Sequence, residues 1–135
     1  MNFEPNNIRP RMISVLLAMP ELEPAVACRS GLAARNCIVH LVYDGSEVVE
    51  ALDRFRPDVI LLDAGLATGQ HAAIYRAIER RSASKAIPVI LLADGGVAQG
   101  QVVQFGANAV VLASSPAPVL YRTIVRCLSS SACAA

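Results

Sequence analysis

The residue in this sequence best placed for chemistry is a carboxylate at the end of a buried apolar run. Asp58-Val-Ile-Leu-Leu-Asp63 carries four apolar residues that close on Asp63. The apolar part reads as a strand buried on both faces. Asp63 then stands at its carboxyl end, the edge of an open α/β sheet where ligands and chemistry are found. A reactive aspartate needs partners, and the sequence is poor in them. His40 falls mid-strand and His71 in a helix-leading loop, and neither has a second ligand at metal-site spacing. Cys28, Cys37, Cys127 and Cys133 match no CxxC or zinc pattern. They read as reduced thiols filling small apolar volumes.

Composition excludes several classes. A chain of 135 residues with 54% hydrophobic and 17% charged residues fits one domain with a single core. A net charge of +1 gives no footprint for nucleic acid. Tyr43, Tyr75 and Tyr121 are scattered and make no stacking platform for bases. Arg76, Arg80 and Arg81 follow helical spacing and read as a solvated face. No run approaches the roughly 18 apolar residues of a membrane span. Arg9 and Arg11 before Met12–Met19, with Ala25-Val26-Ala27 following, imitate a secretory signal. That apolar run is only eight residues long, and Pro20, Glu21 and Glu23 interrupt it, so it reads as a strand.

The elements that must position Asp63 follow from periodicity. Residues 1–11 read as a flexible leader, 12–128 as the domain and 129–135 as a flexible tail. Strands are predicted at Ile13–Ala18, Ile38–Tyr43, Asp58–Asp63, Ile87–Ala93 and Ala109–Ala113. Between them come a helix with Pro24 in its first turn, running to about Ala34 and weakened by Gly31, and a second capped by Ser46 and stopped by Pro57. A loop holding Gly65 and Gly69 leads to a third helix over Ala72–Arg81; a short fourth covers Val97–Phe105. The last is opened by Pro116 and Pro118 and presents Leu120, Ile124, Cys127 and Leu128 on one stripe. Five apolar strands alternating with five helices predict a parallel sheet covered on both faces, a flavodoxin-like doubly wound α/β sandwich of three layers.

From Ser14 to Leu128 the chain resembles the receiver domain of two-component response regulators. The matching residues are Asp44-Gly45-Ser46-Glu47 with Ala51-Leu52, and Arg56-Pro57-Asp58-Val-Ile-Leu-Leu-Asp63. Ile87-Pro88-Val-Ile-Leu-Leu92 and Gly106-Ala107-Asn108-Ala109 match in turn. The resemblance implies strand order 2-1-3-4-5 and sets Asp63 on the phosphoacceptor position. It also implies partners for that aspartate which this sequence lacks. The acidic pair that holds Mg²⁺ falls on Ala18 and Met19, and the hydroxyl residue closing the fourth strand on Ala93. The lysine closing the fifth strand falls on Ala113, the aromatic switch residue on Val110, and a usual proline on Ala67. Lys85 is the sole lysine and precedes the fourth strand, at the far edge from Asp63. Glu21, Glu23 and Asp94 remain as candidate oxygen ligands, but hard cations need tight geometry, and no Mg²⁺ or other cofactor is expected.

Phosphoryl transfer is almost wholly positioning and electrostatic stabilisation, so missing charges are missing catalysis. Losing one well-placed stabilising group costs about 10²–10³ in rate. The expectation is therefore a degenerate, pseudo-receiver type, not an enzyme, that works in the cytoplasm by binding proteins. A histidine kinase, an output domain, another regulator or a second copy of the chain would be the partner, with no nucleic acid and no membrane. The resemblance points to a contact face near Val103, Val110, Leu120 and Tyr121. Cys28 and Cys127, on the first and last helices, are brought near one another by the implied topology. Two other readings stand beside this one. The first is a conventional switch phosphorylated at Asp63 through a rearranged metal site. The second is a small-ligand module, which the lack of a glycine-rich loop at Met19-Pro20-Glu21 disfavours for nucleotide or flavin.

Overall fold

The computed structural model describes residues 12–69, 71–81, 87–93 and 107–133. Strand β1 (Ile13–Ala18) leads to helix α1 (Leu22–Ala33), β2 (Cys37–Val42), α2 (Gly45–Arg54) and β3 (Val59–Asp63). Then come α3 (Ala64–Gly69), α4 (His71–Arg81), β4 (Val89–Ala93), β5 (Ala109–Leu112) and α5 (Ala117–Cys133). The five strands form one parallel sheet in the order β2-β1-β3-β4-β5. The doubly wound flavodoxin-like architecture expected from the sequence is the one observed.

Side-chain alternation divides the core in two. Leu16, Ala18, Ile60, Leu62 and Leu91 point to one face, where α2 and α4 supply Val48, Leu52, Ile74 and Ala77. Val15, Leu17, Val59, Leu61 and Ile90 point to the other, where α1 and α5 supply Ala25, Leu32, Leu120 and Ile124. Burial on both faces is why the central strands read as unbroken apolar runs. Each fully buried Leu or Ile side chain contributes about 1.5–3 kcal/mol.

Local chemistry sets the element ends, and here several expectations are corrected. Asp44, not Ser46, caps α2. Its carboxylate accepts the Glu47 N–H at 2.9 Å, while Glu47 Oε1 accepts the Asp44 N–H, a closed capping box. The Ser46 hydroxyl donates to the Asp44 carboxylate. Helix α1 starts two residues before Pro24, which fits because the first turn needs no N–H from that residue. The expected loop after Asp63 is instead α3. The last helix does not end at Leu128 but continues through 129–133, where Ser, Ala and Cys offer no glycine or proline to stop it. The remaining strand ends agree within two residues. The leader over residues 1–11, the helix predicted over Val97–Phe105, and residues 134–135 lie outside the described residues.

Candidate functional site

Register brings the expected site residues to one edge. Ala18 pairs with Leu62 and Asp63 with Leu92, so Met19, Asp63 and Ala93 close adjacent strands. Ala93 pairs with Leu112, and the Ala113 N–H donates to the Ala93 carbonyl at 2.7 Å, which adds Ala113 to the same row. Ala18, Met19 and Ala93 are buried and Ala113 is half-buried. These residues line the same sheet edge as Asp63 with methyl and thioether side chains. None of their side chains carries an oxygen or a cation.

Asp63 itself is half-buried and already engaged. Its Oδ2 accepts hydrogen bonds from the Gly65 N–H at 2.9 Å and the Leu66 N–H at 3.2 Å. The carboxylate thus serves the first turn of α3, where backbone donors have no partner inside the helix. Gly65 makes this approach feasible, since a Cβ there would stand 2.9 Å from the same oxygen. Sequence reasoning missed Gly65 and Leu66. The available signal was an aspartate followed by small residues, the pattern of a helix cap as much as of a reactive site. Ala67, where the resemblance implies proline, lies within α3.

Glu21 and Glu23 are exposed at the start of α1, where Glu21 is the N-cap residue but makes no side-chain cap bond. Asp94 lies outside the described residues. Among the described residues, no group of three or more His, Cys, Asp or Glu could hold a metal ion. The side chains of Ala18, Met19, Ala93 and Ala113 supply no oxygen ligand at this edge.

Other singled-out residues fall elsewhere. The His40 ring packs on Phe55 with centroids 5.1 Å apart, beside a groove of about 150 Å³ that Glu50 and Arg54 also line. This groove flanks the edge strand β2, away from Asp63. Cys28, Cys37 and Cys127 are free thiols of one core, and burial raises all three pKa values. Of the expected contact face, Val110 is exposed, but Leu120 is buried and Tyr121 half-buried against the core. Leu120 is therefore a core residue, because its place on α5 faces the sheet. Val103 lies outside the described residues. No helix among the described residues is long and apolar enough to cross a membrane.

No family model and no curated protein matches the chain by sequence. Solved structures do match by shape. The receiver domain of the sensor histidine kinase PA1611 from Pseudomonas aeruginosa superposes with a TM-score of 0.74 at 22% identity, over 87% of this chain and 98% of that one. That receiver holds a magnesium ion in its active-site cleft. The chemotaxis response regulator CheY4 of Vibrio cholerae gives 0.73 at 18% identity, over 85% and 98%. A histidine-kinase receiver domain from Syntrophus aciditrophicus gives 0.71 at 25%, over 87% and 91%. With its strand order and its aspartate closing β3, this chain has the fold of a two-component receiver domain.

Proposed function

We propose that the chain is a receiver-type signalling module that binds a protein partner without depending on phosphorylation of Asp63. The observation that carries this reading is the engagement of Asp63 Oδ2 by the Gly65 and Leu66 N–H groups. An incoming phosphoryl group would compete with that cap. It would then meet Ala18, Met19, Ala93 and Ala113, which offer no charge or hydroxyl to hold it. Each missing stabilising group costs about 10²–10³ in rate, and the losses fall on the same step. In this reading the module is not an enzyme, needs no Mg²⁺ and acts in the cytoplasm. Its partner is a histidine kinase, an output domain or another regulator.

The test is the full chain with Mg²⁺ and beryllofluoride, followed by backbone NMR. The expected result is no shift centred on Asp63, with equal partner recovery by wild type and Asp63→Asn. Shifts at Asp63 that vanish in Asp63→Asn would establish a conventional switch instead.

A further inference from the structure

Strand β2 forms one edge of the sheet without the usual protections of an edge. It has β1 on one side and no strand on the other among the described residues. The Ile13 N–H donates to the Asn36 carbonyl and the Met19 N–H to the Val42 carbonyl. Even-numbered residues therefore bond to β1, and the N–H and C=O groups of Cys37, Val39 and Leu41 point outward. Tyr43 is next in that outward series, and its N–H already donates to Glu47 Oε1 at 2.6 Å. That bond closes the carboxyl end of the edge. Exposed edges are commonly blunted by lysine, proline, a bulge or short length. Cys37–Val42 is six residues in unbroken register with β1, holds no lysine or proline, and carries Ile38 at 58% exposure.

The groove between this edge and α2 adds charge. Glu50 and Arg54 both line it, one helical turn apart and both exposed. Neither has an ion-pair partner among the described residues. We propose that β2 pairs antiparallel with β2 of a second copy of the chain, joining the two sheets into one. A two-fold axis normal to the sheet runs the two edges antiparallel, the better-bonded of the two pairings. An axis passing between Glu50 and Arg54 sets the glutamate of each copy against the arginine of the other. Ile38 of each copy then leaves water for its partner's edge. Backbone groups alone would accept any extended segment. The charges select a second copy, because one acid and one base at fixed spacing are complementary to themselves under a two-fold. The pairing uses neither Asp63 nor the row beside it, so it stands whatever that aspartate does.

Sedimentation velocity of the full chain over a micromolar concentration series tests the pairing. The expected result is a concentration-dependent dimer whose dissociation constant rises at least tenfold in Ile38→Lys, which sets a cation on the edge. Glu50→Arg and Arg54→Glu should each weaken the dimer at least tenfold by bringing like charges face to face. The double swap Glu50→Arg/Arg54→Glu should restore it, and mixing the two single variants should give a mixed dimer that neither forms alone. All three positions are exposed, and far-UV circular dichroism confirms that each variant is folded. A monomer at every concentration overturns the proposal. So does a dimer indifferent to Ile38→Lys, or one that neither the double swap nor mixing restores. Failure here leaves the reading of Asp63 untouched, since no readout depends on that residue.

Discussion

Gly31 of α1 lies so close to Ala117 of α5 that a Cβ added to the glycine would stand 2.5 Å from the alanine Cβ. Glycine inside a helix costs about 1 kcal/mol relative to alanine, so on propensity alone Gly31→Ala would stabilise. Here the facing atom is a Cβ fixed to its backbone and cannot rotate away. Overpacking of this kind costs about 1–3 kcal/mol. The expected outcome is a net loss in urea-unfolding stability for Gly31→Ala, recovered at least in part by the double variant with Ala117→Gly. Stabilisation by Gly31→Ala would contradict the close approach.

The cap at Asp63 separates its structural role from a chemical one. Asp63→Asn keeps a side-chain oxygen that can accept the Gly65 and Leu66 N–H groups, whereas Asp63→Ala removes it. Loss of an N-cap costs about 0.5–2 kcal/mol, and the amide should retain most of it. Chemical denaturation should therefore rank wild type and Asp63→Asn close together and Asp63→Ala below both. Equal stability of all three would show that the cap contributes nothing.

How much of this was legible in the sequence depends on what each residue answers to. The strands of the core were readable because Val15–Ala18, Val59–Leu62 and Val89–Ala93 are buried on both faces and admit only apolar residues. Their adjacency to Asp63 was implied by a resemblance, and the register bears it out. The α3 cap was hidden because an aspartate at a strand end gives the same letters whether it reacts or accepts two N–H groups. Asp58 was hidden for a similar reason. Its Oδ2 accepts the Ser14 N–H at 2.8 Å and its own N–H donates to the Ser14 carbonyl at 2.8 Å, locking β1 to β3 across 44 residues of chain. No local pattern announces a bond of that span. Leu120 was set on the contact face by the resemblance, whereas its helical spacing already joined it to Ile124 and Cys127 on the stripe that the core covers.

The buried thiols give the molecule an alkaline limb. Burial pushes the Cys28 thiol from an ordinary 9.0 up to about 11, because the thiolate is poorly solvated beside the α1–α5 core. A group whose folded pKa is raised gives stability that is fully present below its unfolded pKa and is lost as pH rises through the folded value. The window is therefore pH 9 to about 11. For a thiol still partly open to solvent the loss is of order 1–2 kcal/mol, after discounting for screening. Cys37 and Cys127 shift in the same direction, so the contribution of Cys28 is read as a difference. The urea midpoint of wild type should fall relative to that of Cys28→Ala as pH rises from 8 to 11, whatever their separation at pH 8. The same raised pKa leaves about a hundredfold less thiolate at neutral pH, so iodoacetamide labelling of Cys28, mapped by peptide, should be correspondingly slower than in denaturant. Labelling at equal rates in folded and unfolded protein would mean that the thiol is not held in the core.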